Sequence, residues 1–338
     1  LYSMITKYLG FKTQSDEYKV MGLSAYGTPR FCKKLEDLVF FDENDCFRLN
    51  LSYFDHHYNY GKKRRLFTTK FEEVFGSPRN YEDPIDQRHA DIAYATQKLT
   101  EDILLRLARR SQQITGKKNL CLAGGVALNC LANQKLLESN IFDKIFVQPA
   151  ANDAGTSIGA ALYTNYLLDN TTPRTEMKDV FLGPQFSSSE ILIAIEGNNR
   201  RSEIEYEKIN DPSKLAAKLI NEGFVIGWFQ GKMEFGPRAL GNRSILASPI
   251  DISMKDKINN KIKFREEFRP FAPAVLEELA SDVFQILEEG KNLYPFMLST
   301  ANVNPFYLDK IPAVIHKDCT ARLQIVNRKI NPLFWDLI

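Results

Sequence analysis

The sequence predicts an α/β fold, because helical and strand patterns alternate along most of the chain. One long helical pattern covers 89–110 and another covers 127–138. The short apolar runs 119–123 and 145–147 are predicted to be buried strands. The Gly124-Gly125 pair forms the turn through which the first of these strands passes into the second helix.

The helix predicted over 89–110 has the clearest amphipathic pattern. Four apolar side chains recur on one face, which we expect to be buried: Ile92, Leu99, Ile103 and Leu107. Charged residues such as Asp91 and Glu101 fall elsewhere on the helix, and Gly116 is predicted to end it.

Two domains are predicted, at 1–178 and 179–338, because 338 residues suffice for two cores. The polar segment 168–177 contains little that could pack, so we predict an exposed linker there. Before it, the small-residue stretch from Thr156 predicts a tightly packed helix. After it, a Ser-Ser-Ser-Glu capping box at 187–190 predicts a helix start.

The composition excludes several classes of protein. A net charge of +2 is unlike the one-sided charge of a dedicated nucleic-acid binder. No apolar run reaches the roughly 18 residues of a membrane helix, and the first residues do not resemble a signal peptide. The five cysteines include no Cys-x-x-Cys, which favours thiols in a reduced cytoplasm. We therefore predict a cytoplasmic protein without a nucleic-acid or membrane partner.

The loop 231–244 is the most informative motif. The apolar run 224–229 leads into a stretch that combines three glycines, a proline and the cations Lys232, Arg238 and Arg243. Glycine lets a backbone approach a ligand closely, and arginine offers forked donors to phosphate or carboxylate. A strand that leads into such a turn predicts an anion site.

Two glycine-containing turns in the first half have competing interpretations. The Gly124-Gly125 turn before a helix is suited to phosphate or ribose, but a merely tight turn explains it equally well. Asp153, in the loop after the second strand, is suited to a metal or to a helix cap. Taken alone, this motif favours the cap.

Two further segments of the second half carry cations. The segment 261–273 interleaves Lys261, Lys263, Arg265 and Arg269 with phenylalanines, and its two prolines favour an ordered, folded-back segment over a solvated helix face. In the other segment, His316 begins a loop that returns into a strand after Arg322. A lone histidine is more often structural than catalytic, whereas Arg322 can share a pocket with Gln324.

Five motifs then occur in a specific order: EYKVMGL at 17–23, AGGVALN at 123–129, NDAG at 152–155, FGPRALGNRS at 235–244 and FRPFAP at 268–273. In this combination the chain resembles the O-carbamoyltransferase family over essentially its whole length. The resemblance implies a first domain with an actin/Hsp70-like ATPase-type fold, here partial. It implies a second α/β domain similar to threonylcarbamoyl-AMP synthase.

The resemblance also implies a reaction. In that family the second domain joins carbamoyl phosphate to ATP and gives carbamoyl-adenylate and pyrophosphate. The first domain holds the adenylate beside a divalent metal while a hydroxyl of a small molecule or sugar attacks the carbamoyl carbon. The resemblance suggests iron(II); the residues themselves do not choose among divalent metals, magnesium included. Fixed cations fit this chemistry, because the two anionic substrates repel each other.

Roles follow from the resemblance by matching positions. Asp153 would be the metal ligand. The catalytic cations would be Lys232, Arg238, Arg243, Arg269 and Arg322. The cofactor-binding residues would be Lys19, Gly22, Gly124, Gly125, Asn129, Gly155, Ser244, Lys263, Arg265 and His316.

The chain departs from the family pattern in three places. The family's His-x-x-x-His metal pair is absent, because the four histidines have other spacings. An Asn-Thr-Ser-Phe-Asn motif expected after the last strand is also absent, and Cys319 stands where the family often has glycine. We therefore expect this chain to be a fragment or an incomplete protein that does not complete the metal site by itself.

Two other functions remain open at this point. A non-catalytic nucleotide-binding or regulatory relative is favoured by the missing histidine pair. A tRNA-modifying threonylcarbamoyl transferase is disfavoured by the near-neutral charge and by the second domain. The identity of the hydroxyl acceptor is not encoded in any motif, and the sequence is compatible with an oligomer without predicting one.

Overall fold

The computed structural model describes residues 1–57, 65–171, 173 and 175–338. Its α-helices are α1 (Tyr2–Tyr8), α2 (Glu17–Ser24), α3 (Cys32–Glu36), α4 (Thr69–Phe75), α5 (Gln87–Thr115), α6 (Cys130–Glu138), α7 (Gly155–Leu168), α8 (Ser188–Glu196), α9 (Pro212–Asn221), α10 (Ser253–Ile258), α11 (Ala280–Val283) and α12 (Pro332–Leu337).

Short strands lie between these helices and form small sheets. The strands are β1 (Val39–Phe41), β2 (Phe47–Leu49), β3 (Asn119–Leu122), β4 (Lys144–Val147), β5 (Ile226–Phe229), β6 (Arg243–Leu246), β7 (Ala274–Leu276), β8 (Ala301–Asn302), β9 (Thr320–Ala321) and β10 (Gln324–Val326). The pairs β3–β4 and β7–β10 are parallel; β1–β2, β5–β6 and β8–β9 are antiparallel. The mixed α/β character predicted from the sequence is thus confirmed.

Helix α5 confirms the longest predicted helix and its end at Gly116, which has the left-handed φ of 63°. The expectation that its charged residues avoid the core was wrong for Asp91 and Glu101, which are both buried. Asp91 accepts hydrogen bonds from the backbone N–H and hydroxyl of Thr28, and Glu101 accepts one from Gln97. These local partners replace water, so the carboxylates tolerate burial.

The β3–β4 pair confirms both strands predicted in this region, but β3 is not buried as expected. In β4 the side chains of Ile145 and Val147 face the core, whereas Phe146 is exposed. In β3 the residues alternate between exposed and half-buried, and Cys121 is exposed. One face of this small sheet therefore packs and the other faces solvent in the described structure.

Helix α7 contradicts the expectation of a tightly packed helix. None of its residues is buried, and Leu168 is 83% exposed. Small residues allow close packing but do not supply the surface that packs against them. Two residues of the adjoining predicted linker, Thr172 and Arg174, lie outside the described residues. The capping box that begins α8 is confirmed, with Ser187 and Glu190 bonding reciprocally.

One hydrophobic core includes residues from both sides of the predicted boundary at 178. Leu136 and Ile145 from the first half share this core with Leu240 and Leu298 from the second. A buried hydrogen bond from the Asn133 amide to the Leu298 carbonyl, at 2.8 Å, adds to the same contact. The two halves therefore pack directly on each other, and this places the second-half loops against α2 and α6.

Two simpler findings complete the fold. Within the described ranges, no helix has both the length and the apolar character required to cross a bilayer. The five cysteines, all in described parts of the chain, are free thiols: Cys32, Cys46, Cys121, Cys130 and Cys319.

Candidate functional site

The loop 231–244 is shaped around one buried carboxylate. The side chain of Glu234 has no exposed surface, and its Oε1 accepts hydrogen bonds from the backbone N–H groups of Leu240 at 2.6 Å and Asn242 at 2.9 Å. Its Oε2 lies 3.2 Å from Nε of Arg243. Because a buried carboxylate is stable only when paired in this way, Glu234 fixes the loop and Arg243 neutralises Glu234.

Three residues predicted to bind ligands take part in the framework of this loop. Arg243 also donates from Nη2 to the Gly236 carbonyl, at 3.0 Å. Ser244 accepts from the Gly241 N–H, at 3.0 Å. The Lys232 carbonyl accepts from Asn242, while Lys232 as a residue is exposed. The structure thus gives Arg243 and Ser244 partners within the protein.

Arg238, on the same loop, reaches the first half of the chain. Its Nη2 donates to the Leu128 carbonyl at 3.3 Å, whereas its buried Nε has no hydrogen-bond partner. Burial, and then the neighbouring charge of Arg322, lowers the pKa of Arg238 to about 9. Gly236 allows this approach, since it has a φ of +121° and a Cβ there would lie 3.3 Å from Ala150.

Arg322 approaches from the turn between β9 and β10. Its Nε is buried and has no hydrogen-bond partner in the described structure. Burial lowers the pKa of the guanidinium, and the charge of Arg269 lowers it further. A negative charge on the Cys130 sulfur would raise the pKa of both Arg322 and Arg238. Cys130 is therefore a neighbour of both guanidinium groups.

The segment 261–273 folds back toward Asn259, as the sequence predicted. Asn259 is fully buried, and its Oδ1 accepts from Nε of Arg265 at 2.7 Å. The backbone reverses at Phe264, which has a left-handed φ of 45°. The guanidinium of Arg265 lies 4.5 Å from the ring centre of Phe271.

Three cations converge in this segment. One nitrogen of Arg265, Nη2, is buried without a partner; burial and then the charge of Arg269 lower the pKa of Arg265 to about 10. Arg269 lies 4.6 Å from the ring centre of Tyr18. The pKa of Lys263 is lowered by partial burial and by the charges of Arg265 and Arg269. Like charges this close favour binding of an anion.

Lys19 joins α2 to this segment. Its Nζ lies 2.7 Å from Glu266 and 3.2 Å from Asp16. Burial alone would lower the pKa of Lys19, but these hydrogen bonds outweigh it and raise the pKa. Gly22 lies beside Phe268, where a Cβ would make an ordinary contact of 3.7 Å. Lys19 is therefore already paired, whereas Arg238 and Arg322 each retain an unsatisfied Nε.

His316 lies behind Arg322 and is neutral at pH 7. Its Nε2 is buried without a hydrogen-bond partner in the described structure. Burial lowers its pKa to about 4; the charges of Arg322 and Lys255 lower it, and Asp318 opposes them. A neutral ring beside several cations can accept a proton or a hydrogen bond when an anion binds.

We refer to five of these cations and the neutral His316 together as the cation cluster: Arg238, Lys263, Arg265, Arg269, His316 and Arg322. Buried guanidinium nitrogens without partners are costly, because each loses water and gains nothing in return. An anion with several oxygens would satisfy them. The sequence named all six residues, but it missed Glu234, Asn259, Glu266 and Cys130, which position them or lie beside them. A carboxylate inside a basic motif, as at Glu234 and Glu266, was the available signal.

The predicted ligand-binding residues of the first half include the Gly124-Gly125 turn. The helix predicted over 127–138 begins later than expected: a 3₁₀ turn covers Gly125–Leu128, and α6 begins at Cys130. Gly124 has a φ of +96° and donates to the Ala151 carbonyl at 2.7 Å. Cβ atoms at Gly124 and Gly125 would meet open space, so a ligand has room there.

Asn129 uses its side chain within the fold. Its Oδ1 accepts from the Ala132 N–H at the start of α6, and its Nδ2 donates to Gln97 at 2.9 Å. Gly155 is required for packing, since a Cβ there would lie 2.2 Å from the Ala150 carbonyl.

Asp153 is exposed, and the cap interpretation of its side chain was wrong: the N-cap of α7 is Ala154, with no side-chain hydrogen bond. Across the described ranges, no three His, Cys, Asp or Glu side chains gather as metal ligands. Among the described residues, Asp153 therefore has no companion ligands for the metal implied by the resemblance, and we derive no step through that metal.

Two family models match the chain. The model described as "Carbamoyltransferase N-terminus" matches residues 1–162, and the model described as "Carbamoyltransferase C-terminus" matches residues 217–338. The boundary predicted at 178 falls between the two matches.

Matches to curated proteins over the whole of this chain agree with these models. Nodulation protein NolNO of Sinorhizobium fredii is 43% identical, nodulation protein NolO of Bradyrhizobium diazoefficiens is 40% identical, and an uncharacterised protein of Synechocystis is 41% identical. Each match covers 100% of this chain, which spans 47%, 59% and 58% of those proteins, respectively. The chain therefore spans about half the length of these relatives, and the resemblance drawn from the motifs is confirmed.

Proposed function

Because this chain belongs to the carbamoyltransferase family, we propose that it supplies the activation site and part of the transfer site of an O-carbamoyltransferase. In this proposal the second half binds carbamoyl phosphate and ATP and makes carbamoyl-adenylate. The first half then presents the adenylate to a hydroxyl of a small molecule or sugar. The observation that supports it most is the pair of buried, partnerless Nε atoms in Arg238 and Arg322.

The charges of the substrates explain why such a site needs these residues. Carbamoyl phosphate and the triphosphate of ATP repel each other when they approach. Fixed cations that already lack partners can receive both without rearrangement, and this preorganisation lowers the barrier of the chemical step. The neutral His316, whose pKa is held near 4, adds a hydrogen-bonding group without further net charge.

The proposed activation takes place in two steps. Water releases the phosphate of carbamoyl phosphate, and the resulting carbamate oxygen attacks the α-phosphorus of ATP. The bond between the α-phosphorus and the bridging oxygen breaks, and pyrophosphate leaves. In the transfer step, the acceptor oxygen attacks the carbamoyl carbon and AMP departs, while the hydroxyl proton is lost to solvent.

The finer fold assignments belong to the same proposal. We propose that the first half is part of an actin/Hsp70-like ATPase-type domain and that the second half is similar to threonylcarbamoyl-AMP synthase. The parallel β3–β4 pair, with the open Gly124-Gly125 turn directly after β3, is compatible with the first assignment. A divalent metal near Asp153, iron(II) or magnesium, and a cytoplasmic location also remain proposals.

Pyrophosphate release by the full-length protein tests the proposed function. We expect release that requires both ATP and carbamoyl phosphate. Release that is independent of carbamoyl phosphate, or no release, would contradict the proposal. Asp153→Asn should leave this release unchanged, because Asp153 lies outside the cation cluster. It should stop carbamoyl transfer, because Asp153 is the proposed metal ligand of the transfer site.

A non-catalytic nucleotide-binding module is the second candidate. It is supported by the absence of a gathered metal-ligand set among the described residues. The same assay separates the two candidates when it is combined with a binding measurement. ATP binding without pyrophosphate release would favour the module, and carbamoyl-phosphate-dependent release would favour the enzyme.

A further inference from the structure

The two arginines with unsatisfied nitrogens lie on separate segments of the second half. Arg238 belongs to the loop 231–244, and Arg322 belongs to the turn between β9 and β10. Burial and then the charge of Arg322 lower the pKa of Arg238, so the two guanidinium groups repel each other. Contacts between the two segments must oppose this repulsion if the arginines are to stay close together.

The side chain of Gln324 makes the first of these contacts. It is buried at the start of β10, two residues after Arg322. Its Nε2 donates to the carbonyl of Leu240 at 2.9 Å, and Leu240 follows Arg238 by two residues. The backbone N–H of Gln324 donates to the Pro273 carbonyl at 2.8 Å, which fixes the start of β10. Each arginine is thus two residues from one end of a single buried hydrogen bond.

The side chain of Asn331 makes the second contact. Its Nδ2 donates to the side-chain oxygen of Asn242 at 2.9 Å, and its Oδ1 accepts from the side chain of Gln230 at 2.9 Å. Gln230 donates its other proton to the Gly241 carbonyl at 3.0 Å. The same Oδ1 of Asn331 accepts from the N–H of Phe334 at 3.3 Å and so caps α12. Asn331 therefore joins α12 to both ends of the loop.

The side chains that make these contacts are neutral amides, and we refer to them together as the amide clamp: Gln230, Asn242, Gln324 and Asn331. A carboxylate in the same place would pair with a guanidinium, as Glu234 does with Arg243, and would take donors away from a ligand. An amide donates and accepts hydrogen bonds without adding charge. The clamp therefore holds the two segments together and leaves Arg238 and Arg322 available.

We propose that the amide clamp preorganises the anion site, and that Gln324 and Asn331 are positioning residues that hold Arg238 beside Arg322 for a phosphate-bearing substrate. The clamp supplies no group to the reaction and acts through Arg238. Because the two segments are fixed in advance, a bound anion does not have to bring the repelling cations together, which favours binding. The inference rests on the proposed function for the identity of the anion.

Asn331→Ser in the full-length protein tests the clamp. Serine caps a helix about as well as asparagine does, but it is too short to bond Asn242 and Gln230 together. Asp211→Ser is the matched control, because Asp211 caps α9 and precedes a proline in the same way. We expect amide protons of the loop 231–244 to exchange on the order of tenfold faster in Asn331→Ser and at the wild-type rate in the control. Unchanged exchange in Asn331→Ser would overturn the inference.

Calorimetric titration with pyrophosphate measures the effect on the anion site. Asn331→Ser and Gln324→Met should each bind pyrophosphate about tenfold more weakly than the wild type, whereas Asp211→Ser should bind it equally well. Combined with Arg238→Met, the Asn331→Ser change should cause no further loss, because the clamp acts through Arg238. Unchanged affinity would show that Asn331 is only a helix cap, and fully additive losses would show that it acts elsewhere. Either result would overturn the inference.

The proposed function is measured separately from the clamp. Absence of carbamoyl-phosphate-dependent pyrophosphate release by the wild type would refute the proposed enzyme. The exchange rates of the loop and the pyrophosphate affinities of the variants would still decide whether the amides position an anion site.

Discussion

The cation cluster has buried polar atoms that lack partners, whereas the glycine turn near Gly124 has an open surface that lacks contacts. In the cluster, buried guanidinium nitrogens lack partners, as in Arg238 and Arg322. Around Gly124 and along α7, the surface is open, and apolar side chains such as Leu168 are exposed. We therefore expect the cluster to bind a small polar ligand, whereas the surface around the turn offers room and apolar area.

The two regions also differ in how their side chains are supported. The cluster is supported by a dense framework, with Glu234 fixing one loop and Asn259 fixing the other. Asp153 lies exposed with no gathered ligands among the described residues. We therefore expect substitutions in the cluster to act strongly on activation and those near Asp153 to leave it unchanged.

The largest expected effect comes from Arg322→Met. Removing one preorganised donor should lower carbamoyl-phosphate-dependent pyrophosphate release by about 10²–10³-fold. Because burial disfavours the charge of Arg322, the same variant should keep or raise the melting temperature without ligand, by on the order of 2 °C. Arg109→Met, on the exposed side of α5, should change neither quantity. If Arg322→Met lost much stability but kept full activity, Arg322 would be a structural residue and not part of an anion site.

Arg243→Met should affect stability more than Arg238→Met does. Arg243 neutralises the buried Glu234, so its loss should cost roughly 3–5 kcal/mol in the free energy of unfolding. Arg238 has a free Nε, so its replacement should weaken activation at nearly unchanged stability. Urea unfolding and pyrophosphate release, measured on both variants, check this contrast. Equal stability losses in the two variants would refute it.

The Lys19–Glu266 pair should couple the two halves of the chain. A double-mutant cycle with Lys19→Met and Glu266→Gln should give an interaction energy of roughly 1–3 kcal/mol in urea unfolding, since Lys19 is buried and the atoms are 2.7 Å apart. The exposed pair Lys291 and Glu288 provides a control cycle, expected below about 1 kcal/mol. A coupling no larger than that of the control would show that the junction is not held by this contact.

His316 should produce an effect confined to acidic pH, in the pH dependence of stability. Its folded pKa is about 4, below the unfolded value of about 6.5, so the unfolded chain binds the proton first. The stability that neutral His316 provides is present above pH 6.5 and is lost as the pH falls toward 4. Melting curves of His316→Gln should therefore lose less stability than the wild type over this interval. Parallel curves would show that His316 titrates normally.

The sequence predicted the elements whose signals are local. The α5 helix, its end at Gly116 and the capping box at Ser187 depend on nearby residues, and the structure confirms them. Burial depends on distant partners, which explains the errors at α7 and at Asp91. A helix of small residues packs only where another surface meets it, and a carboxylate is buried only where donors such as Thr28 are supplied.

The sequence predicted the cations of the candidate site, but not the residues that hold those cations in place. Arginines near glycine and proline stand out in a sequence, and the order of the motifs assigned them to one reaction. The position of Glu266 between Lys19 and Arg269, or of Cys130 beside Arg322, requires the two halves to be docked. The pairing of Arg243 with Glu234 likewise appeared only when the loop was folded.

The most direct test of the account is calorimetric titration of pyrophosphate into the full-length protein and into the double variant Arg238→Met, Arg322→Met. We expect binding to the wild type, and at least tenfold weaker binding to the variant, because a polyphosphate fills the partnerless donors. Equal affinity of the two proteins would contradict the central claim that these buried cations form an anion site.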